Sequence, residues 1–509
     1  MAEQMAPFPP VDTVAGLLAA AAKRYEDRPC VRWRAPAGET SVGFRRFYRD
    51  SAAAANALRK KLPPNSHVAL IGKTSYAYLV MLNGVMAADL VAVPLGAELP
   101  VGELSALLRD SDANALFFDD SLPDPAAVLR DAPGVRNVFT RADAEALTAY
   151  GADDAPPAER PETPAAIFYT SGTTGGRKGA VLTSGAIVSN VCFREMSFEG
   201  GHVALSVLPM HHIFSFSCDY LKNVKDGVTL CLSAGPAALS EELRYYEPTV
   251  LRLVPMMADS LLRRTRLLRR RDPSLPPRAA AEAVFGKRIS NIIVSGAAYA
   301  AETDAEFAEM GITVRQGYGM TETGPRIAVP DGGTCAASGG RIISICRVRL
   351  QNGEIQVKSP SLMSGYYKRP EETRLMFTED GWFRTGDIGR ITPENELFIT
   401  GRLKNVIILS NGENVSPEEI ENAYAKEPDV KEIEVFEQNG KIAAEVVPDP
   451  ALLSDLGPEE TLKRLRALVE RKNAEAPAMR EIDEVFLRTA PLPRTETGKL
   501  KRRSAAEKR

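Results

Sequence analysis

Hydrophobic positions along this chain change period several times, and each change marks a boundary. Over residues 11–62 the apolar residues keep helical spacing around an Ala/Leu face, broken near residues 30–42 by a short strand pair. The runs His67-Val-Ala-Leu-Ile71, Leu90-Val-Ala-Val-Pro94 and residues 113–119 have the length of buried strands and alternate with helical stretches. Such alternation predicts an α/β layered domain. Residues 151–164 are rich in Pro, Ala and Asp and predict a loop, which leads into a strand at Pro164-Ala-Ala-Ile-Phe-Tyr169. A second α/β stretch follows, with strands expected at 203–208, 228–232, 250–254 and 289–294. Between 339 and 398 the strands shorten and turns dominate, and Thr400-Gly-Arg-Leu-Lys404 reads as a linker to a compact strand, helix and strand pattern. The fold class is therefore α/β: a large N-terminal domain (1–402) of layered α/β subdomains plus a small β-rich subdomain, and a small α+β C-terminal lid domain (403–509).

Composition narrows the chemistry. At 509 residues the chain exceeds what one hydrophobic core supports, in line with two or more domains. A net charge of -3 gives no bulk attraction for nucleic acid or an acidic membrane. Residues 263–271 are strongly basic around a Leu pair and read as a solvated helix face, the alternative being a patch for an anionic partner such as a carrier protein. The six cysteines form no C-x-x-C pair, which argues against a zinc site or a disulfide framework and for a reduced, cytoplasmic protein. The apolar run 14–22 follows Glu3 and precedes Lys23-Arg24, the pattern of an amphipathic helix rather than a signal peptide, and no run reaches membrane-span length.

Candidate chemistry concentrates at Tyr169-Thr-Ser-Gly-Thr-Thr-Gly-Gly-Arg-Lys-Gly179. The hydroxyls of Thr170, Ser171, Thr173 and Thr174 can donate to an anion, Gly172, Gly175, Gly176 and Gly179 let backbone N–H groups approach it, and Lys178 adds a cation. Following a buried strand, this predicts a phosphate loop leaving a sheet edge. A Walker loop is excluded, because Lys178 is followed by Gly179 and not by Ser or Thr. The segment resembles the phosphate loop of the adenylate-forming superfamily, which contains acyl-CoA synthetases, peptide synthetase adenylation domains and beetle luciferases; Arg177 stands where that family usually has Pro.

Further motifs extend the resemblance from about residue 11 to residue 501. Gln316-Gly-Tyr-Gly-Met-Thr-Glu322 is similar to the family's adenine and magnesium motif, in which Gln316, Gly317, Tyr318 and Gly319 border the base, Thr321 bonds phosphate and Glu322 offers a hard oxygen to Mg²⁺. Phe383-Arg-Thr-Gly-Asp387 places Asp387 as the ribose carboxylate, with Arg402 as a nucleotide contact. Taken alone, that Thr-Gly-Asp would be an ordinary turn. Lys404 matches the hinge, and the Asn411-Gly412 turn matches a hairpin that borders the thiol tunnel, with a helix starting at Ser416-Pro-Glu-Glu419. Lys499, in Pro-Arg-Thr-Glu-Thr-Gly-Lys, resembles the catalytic lysine of the adenylation pose; Lys501, Arg502 and Arg503 read as a basic tail. In Leu208-Pro-Met-His-His-Ile-Phe214, His212 corresponds to the residue between the ATP site and the acyl pocket. Adjacent histidines point in different directions and have no third ligand nearby in sequence, against a metal site. Gly296, Ala297 and Ala298 fall in the nucleotide-bordering stretch, where Ala297 and Tyr299 depart from the usual Gly-Gly-Ala-Pro and leave the acyl pocket's size open.

The resemblance implies ATP-dependent activation of a carboxylic acid to an acyl adenylate, then transfer to the thiol of CoA with release of AMP. ATP, Mg²⁺ and CoA, or the phosphopantetheine of a carrier protein, are the implied cofactors. The Phe-rich run after His212 suits an aliphatic or aryl tail, and no Asp falls where adenylation domains pair an amino group, although Asp219 is close. A medium- or long-chain fatty acid or other non-amino acid is therefore expected. Loading of an acyl or amino acid onto a carrier protein and a catalytically silent relative are the alternatives.

Overall fold

A computed structural model describes residues 7–35, 38–149, 159–170, 176–198, 201–295, 303–331, 333–335, 337–408, 414–424, 427–438, 441–475, 481–494, 500 and 502. The chain packs into two compact units, one formed by residues 1–336, 340–347 and 358–383 and the other by 337–339, 348–357 and 384–509.

The first unit contains two seven-stranded sheets. One runs Thr313–Gln316, Asn291–Val294, Val250–Leu253, Val203–Ser206, Thr229–Leu232, Pro29–Ala35, Gly38–Gly43. All neighbours in it are parallel except the last pair, the strand pair expected near residues 30–42. Its β-branched and leucine runs are buried on both faces, and Leu205, Leu251, Leu253, Ile292 and Val294 join Leu261, Phe285 and Phe307 of the covering helices in one core. Each such side chain contributes roughly 1.5–3 kcal/mol through removal from water.

The second sheet runs Gly365–Tyr366, Lys178–Thr183, Pro164–Thr170, Val91–Leu95, His67–Ile71, Ala115–Phe118, Asn137–Phe139. Strand Pro164–Thr170 thus lies inside this sheet rather than at its edge, because Lys178–Thr183 folds back antiparallel on one side of it and Val91–Leu95 pairs on the other. The first helix, Val14–Tyr25, starts where the Thr13 hydroxyl accepts from Gly16 N at 3.1 Å, and it buries Leu17, Leu18 and Ala21.

In the second unit, four strands, Arg347–Gln351, Glu354–Lys358, Phe383–Ile391 and Leu397–Arg402, form one sheet. The expected linker at 400–402 is its last strand, continued by a 3₁₀ turn, Leu403–Asn405. A three-stranded sheet, Val430–Gln438, Lys441–Pro448 and Glu484–Leu487, packs with helix Pro417–Tyr424 and the kinked helical segment Pro450–Glu475 around Ile420, Val435, Ala444 and Leu465. At the start of helix Pro417–Tyr424 the Ser416 hydroxyl donates to Thr400 O at 2.8 Å. Among the described residues no disulfide forms and no helix is long and apolar enough to cross a membrane.

Candidate active site

Parallel strands ending at Ser206, Leu253, Val294 and Gln316 turn their carboxyl ends to one edge of the first sheet, the edge at which open α/β sheets hold ligands. Gln316 ends the outermost of them. Gly317 N donates to Val294 O (3.1 Å) and the Ser295 hydroxyl to Gly317 O (3.2 Å), which fastens the turn to the sheet. Tyr318 and Gly319 then pair with Arg326–Val329, and a Cβ at Gly319 would run into the Pro325 carbonyl, so only glycine fits. Gly296, Ala297 and Ala298 lie outside the described residues.

Thr321 and Glu322 sit in the 3₁₀ turn Thr321–Thr323. That turn is held from behind by the buried Asn190 amide and the Ser361 hydroxyl, which donate to Thr323 O at 3.2 and 2.8 Å. Glu322 is 6% exposed, and the Tyr366 hydroxyl donates to its Oε1 at 2.7 Å. Burial and the neighbouring Glu322 carboxylate hold the Tyr366 phenol far above its ordinary range, so it remains a donor. Oε2 accepts no side-chain bond among the described residues.

The expected phosphate loop joins two antiparallel strands, with Thr170 opposite Lys178; a Walker loop would run from a strand into a helix. Ser171, Gly172, Thr173, Thr174 and Gly175 lie outside the described residues. The Thr170 hydroxyl donates to Lys178 O at 3.4 Å. Lys178 Nζ pairs with the Glu372 carboxylate and lies 5.3 Å from the centre of the Tyr366 ring. Tyr366 therefore joins the lysine of the phosphate loop to the carboxylate of Gln316–Glu322. Tyr366 stands in the run Gly365-Tyr-Tyr-Lys-Arg-Pro370, outside the motifs from which the site was expected, so the sequence alone did not mark it.

Arg177 is half-buried, and its guanidinium Nε pairs with Glu103. Its charge also reaches His211, whose imidazole is pushed down to about 4, mainly by burial and further by Arg177. His211 Nε2 is 3.2 Å from Glu98 Oε1, and its ring centre is 4.2 Å from that of His212. The two histidines thus lie ring against ring and do not diverge. After them, Phe214–Leu221 is a π-helix in which Phe216 is fully buried, its ring centre 5.1 Å from that of Phe168. Asp219 is turned toward Arg252 Nη1, 3.4 Å away.

In the second unit Asp387 lies within strand Phe383–Ile391, opposite Arg402, not in a free turn. It is buried, its backbone N–H donates to the Thr385 hydroxyl at 3.1 Å, and Arg402 Nε is 2.9 Å from its Oδ1. Lys404 is exposed in the 3₁₀ turn Leu403–Asn405. Strands Ile407–Ile408 and Asn414–Val415 pair around the Gly412 turn, and Arg494 bridges to Leu500 around the Lys499 segment; Gly412 and Lys499 themselves lie outside the described residues. Arg502 is more than a basic tail residue. Its guanidinium forks onto Glu421 (Nη1–Oε1 2.8 Å, Nη2–Oε2 2.7 Å) and touches Glu418 at 3.2 Å.

Glu322 suits magnesium, which leans on one or two carboxylates and completes its shell with phosphate oxygens and water. A cage of three or more His, Cys, Asp or Glu side chains is absent among the described residues, and such a site needs none.

Comparison with known proteins agrees in order and extent. The AMP-binding enzyme model matches residues 18–367 and the AMP-binding enzyme C-terminal domain matches residues 404–508. Sulfoacetate–CoA ligase of Cupriavidus necator is 30% identical over 96% of this chain and 97% of its own length. Indoleacetate–CoA ligase of Aromatoleum aromaticum is 30% identical over 86% of this chain and 87% of its own. The ATP-bound crystal structure of MatB from Rhodopseudomonas palustris shares the fold, with a TM-score of 0.78 at 24% identity over 96% and 97% of the two chains. This chain belongs to the AMP-binding enzyme family, the adenylate-forming superfamily, as one of its acyl-CoA synthetase-type members.

Proposed function

We propose that this protein joins a carboxylic acid without an α-amino group to the thiol of CoA, through an acyl adenylate made from ATP. The carrying observation is the Lys178–Tyr366–Glu322 arrangement, which sets a cation and a buried carboxylate on one tyrosine beside the phosphate loop.

In the first step the acid's carboxylate oxygen attacks the α-phosphorus of ATP, and pyrophosphate leaves. Lys178 exchanges Glu372 for the β- and γ-phosphates, helped by the hydroxyls of Thr170, Ser171, Thr173 and Thr174 and the N–H groups of Gly172 and Gly175. Thr321 bonds a phosphate oxygen, and Lys499 neutralises charge developing on the α-phosphate. Gln316, Gly317, Tyr318 and Gly319 border the adenine, with Gly296, Ala297 and Ala298 beside it, and Asp387 accepts both ribose hydroxyls while Arg402 fixes its orientation. Mg²⁺ at Glu322 would supply charge neutralisation of the triphosphate. His212 separates the nucleotide from the acid. In the second step the C-terminal lid, 403–509, turns about Lys404, brings the Gly412 hairpin to the site, and the CoA thiol displaces AMP from the acyl carbon.

The nearest carboxylate to the expected amino anchor, Asp219, faces Arg252, which supports an acid lacking an amino group. CoA is the favoured acceptor because the relatives at 30% identity are named as CoA ligases. Their acids, sulfoacetate and indoleacetate, are not fatty acids, so the medium- or long-chain expectation is not carried forward. The test is ATP–pyrophosphate exchange over a panel of acids, with and without CoA. Exchange with at least one acid, lost in Lys499→Ala, is expected; no exchange with any acid sinks the reading.

A further inference from the structure

A cleft of about 400 Å³ lies among residues that the adenylation chemistry does not use, and its volume is that of a small-molecule site. Ile345, Pro360 and Leu362 make its apolar side, and Arg347, Lys358 and Ser359 its polar side; all six belong to the first unit. Arg347 and Lys358 are end residues of the adjacent strands Arg347–Gln351 and Glu354–Lys358, which brings their side chains to one place. Both reach the same indole. Arg347 Cζ lies 5.7 Å and Lys358 Nζ 5.2 Å from the ring centre of Trp382, which is 8% exposed.

Either cation alone is well placed on an aromatic face, but two like charges gathered at one ring repel each other. Among the described residues no acidic side chain lines the cleft and neither cation is ion-paired. Other cations of the first unit are matched: Lys178 by Glu372, Arg177 by Glu103 and Arg369 by Asp110. The unmatched pair describes the partner it lacks. That partner is an anion with about two charges on a compact head, which both cations can reach at once, joined to an apolar body for Ile345, Pro360 and Leu362. A phosphomonoester has this form, since its head carries about −1.5 to −2 charges near pH 7 on acceptor oxygens. A dicarboxylate spreads the same charge over two centres, and inorganic phosphate leaves the apolar side empty.

We infer that this cleft is a binding site for a small phosphomonoester with an apolar organic part, held by Arg347 and Lys358 beside Trp382. The cleft adjoins the framework of the candidate active site. Ser359 and Ser361 share a hydroxyl bond at 2.8 Å, and Ser361 is the residue that donates to Thr323 O behind Glu322. Binding there does not depend on the adenylating function proposed above.

The probe that tests it is phenyl phosphate. Two tryptophans occur in the chain, so Trp33→Phe leaves Trp382 as the sole reporter. Titration should give one saturable change in its emission as the anion draws the two cations from the ring, with the same Kd by calorimetry. Benzenesulfonate, with one charge, and inorganic phosphate, with no apolar part, should each bind at least about threefold more weakly. In the double variant Arg347→Met, Lys358→Met, which keeps the aliphatic stems, calorimetric affinity should fall at least about tenfold. Pro360→Asp sets a carboxylate at an exposed point of the rim and should weaken binding at least about threefold while both cations remain. A Trp382 emission that never changes, inorganic phosphate or benzenesulfonate bound as tightly as the ester, or an affinity that survives both variants overturns the proposal; the last outcome places the ester elsewhere on the protein. Should the double variant not fold, Pro360→Asp and the ranking of the three anions on native protein decide the matter.

Discussion

Arg502 stands three residues beyond Lys499, and its fork on Glu421 ties the end of that segment to helix Pro417–Tyr424. Replacement by Met keeps the aliphatic stem and removes both bonds. Charge-assisted bonds contribute about 1.5–3 kcal/mol each when buried. Here the side chains of Arg502 and Glu421 are 19% and 14% exposed, and two bonds from one guanidinium do not add. A loss of about 2 kcal/mol is expected, which lowers the docked fraction of the Lys499 segment by up to about thirtyfold. With Lys499 acting in adenylation alone, as proposed, ATP–pyrophosphate exchange should fall about ten- to thirtyfold in Arg502→Met. On the same proposal AMP departure makes no use of that lysine, so thioester formation from a synthetic acyl adenylate and CoA should stay within about twofold. Arg464→Met, which loses an exposed pair with Asp429 in the same unit, is the control and should leave both steps intact. The effect should shrink in mild acid, because burial already pushes the Glu421 carboxyl up and Arg502 opposes that push; once protonated, Glu421 no longer needs the arginine. Exchange within twofold of native at neutral pH, or equal loss of both steps with an unchanged melting temperature, refutes the reasoning.

Three further outcomes are expected. Tyr366→Phe removes the donor to Glu322, a bond to a buried charge worth about 1.5–3 kcal/mol, so exchange should require about tenfold more Mg²⁺; an unchanged magnesium titration argues against Glu322 as the ion's carboxylate. Asp387→Asn should erase the native preference for ATP over its 2′-deoxy analogue and raise the KM for ATP about tenfold, with kcat little changed; a preference that persists places the ribose elsewhere. His211 should titrate near 4 by NMR. Its folded pKa lies below the unfolded value, so the stability it contributes is present above about 6.5 and is lost as pH falls toward 4, roughly 3 kcal/mol in all, and Arg177→Pro should move the titration upward. A His211 resonance titrating near 6.5 in the native protein contradicts this.

Local periodicity carried much of the fold. Strands 67–71 and 164–169 and the hairpin near residues 30–42 were legible because burial on both faces, or alternation between faces, is written into adjacent residues. Short loop motifs were legible for a related reason: a turn that must approach an anion needs Gly, Ser and Thr at fixed offsets, whatever surrounds it. Sheet order was not so written. That strand Pro164–Thr170 sits inside its sheet depends on Lys178–Thr183 folding back beside it, that strand being covered in turn by Gly365–Tyr366, nearly two hundred residues later, and the apparent linker at 400–402 is a strand only because Asp387 and its neighbours pair with it.

The same division holds at the site. Glu322, Lys178 and Asp387 could be named from their own motifs, while what holds them came from elsewhere in the chain: Tyr366 for Glu322, Glu372 for Lys178, Arg402 for Asp387. Arg502 looked like one more residue of a basic tail until Glu421 was found beside it, and Asp219 looked like a stray carboxylate until Arg252 was. By itself the sequence determined the chemistry on offer, because reactive side chains and permissive glycines are local properties. Only the tertiary structure decided which charges meet and which polar atoms go unpaired, because pairing energy depends on distance and burial, and both are set by contacts between residues far apart in the chain.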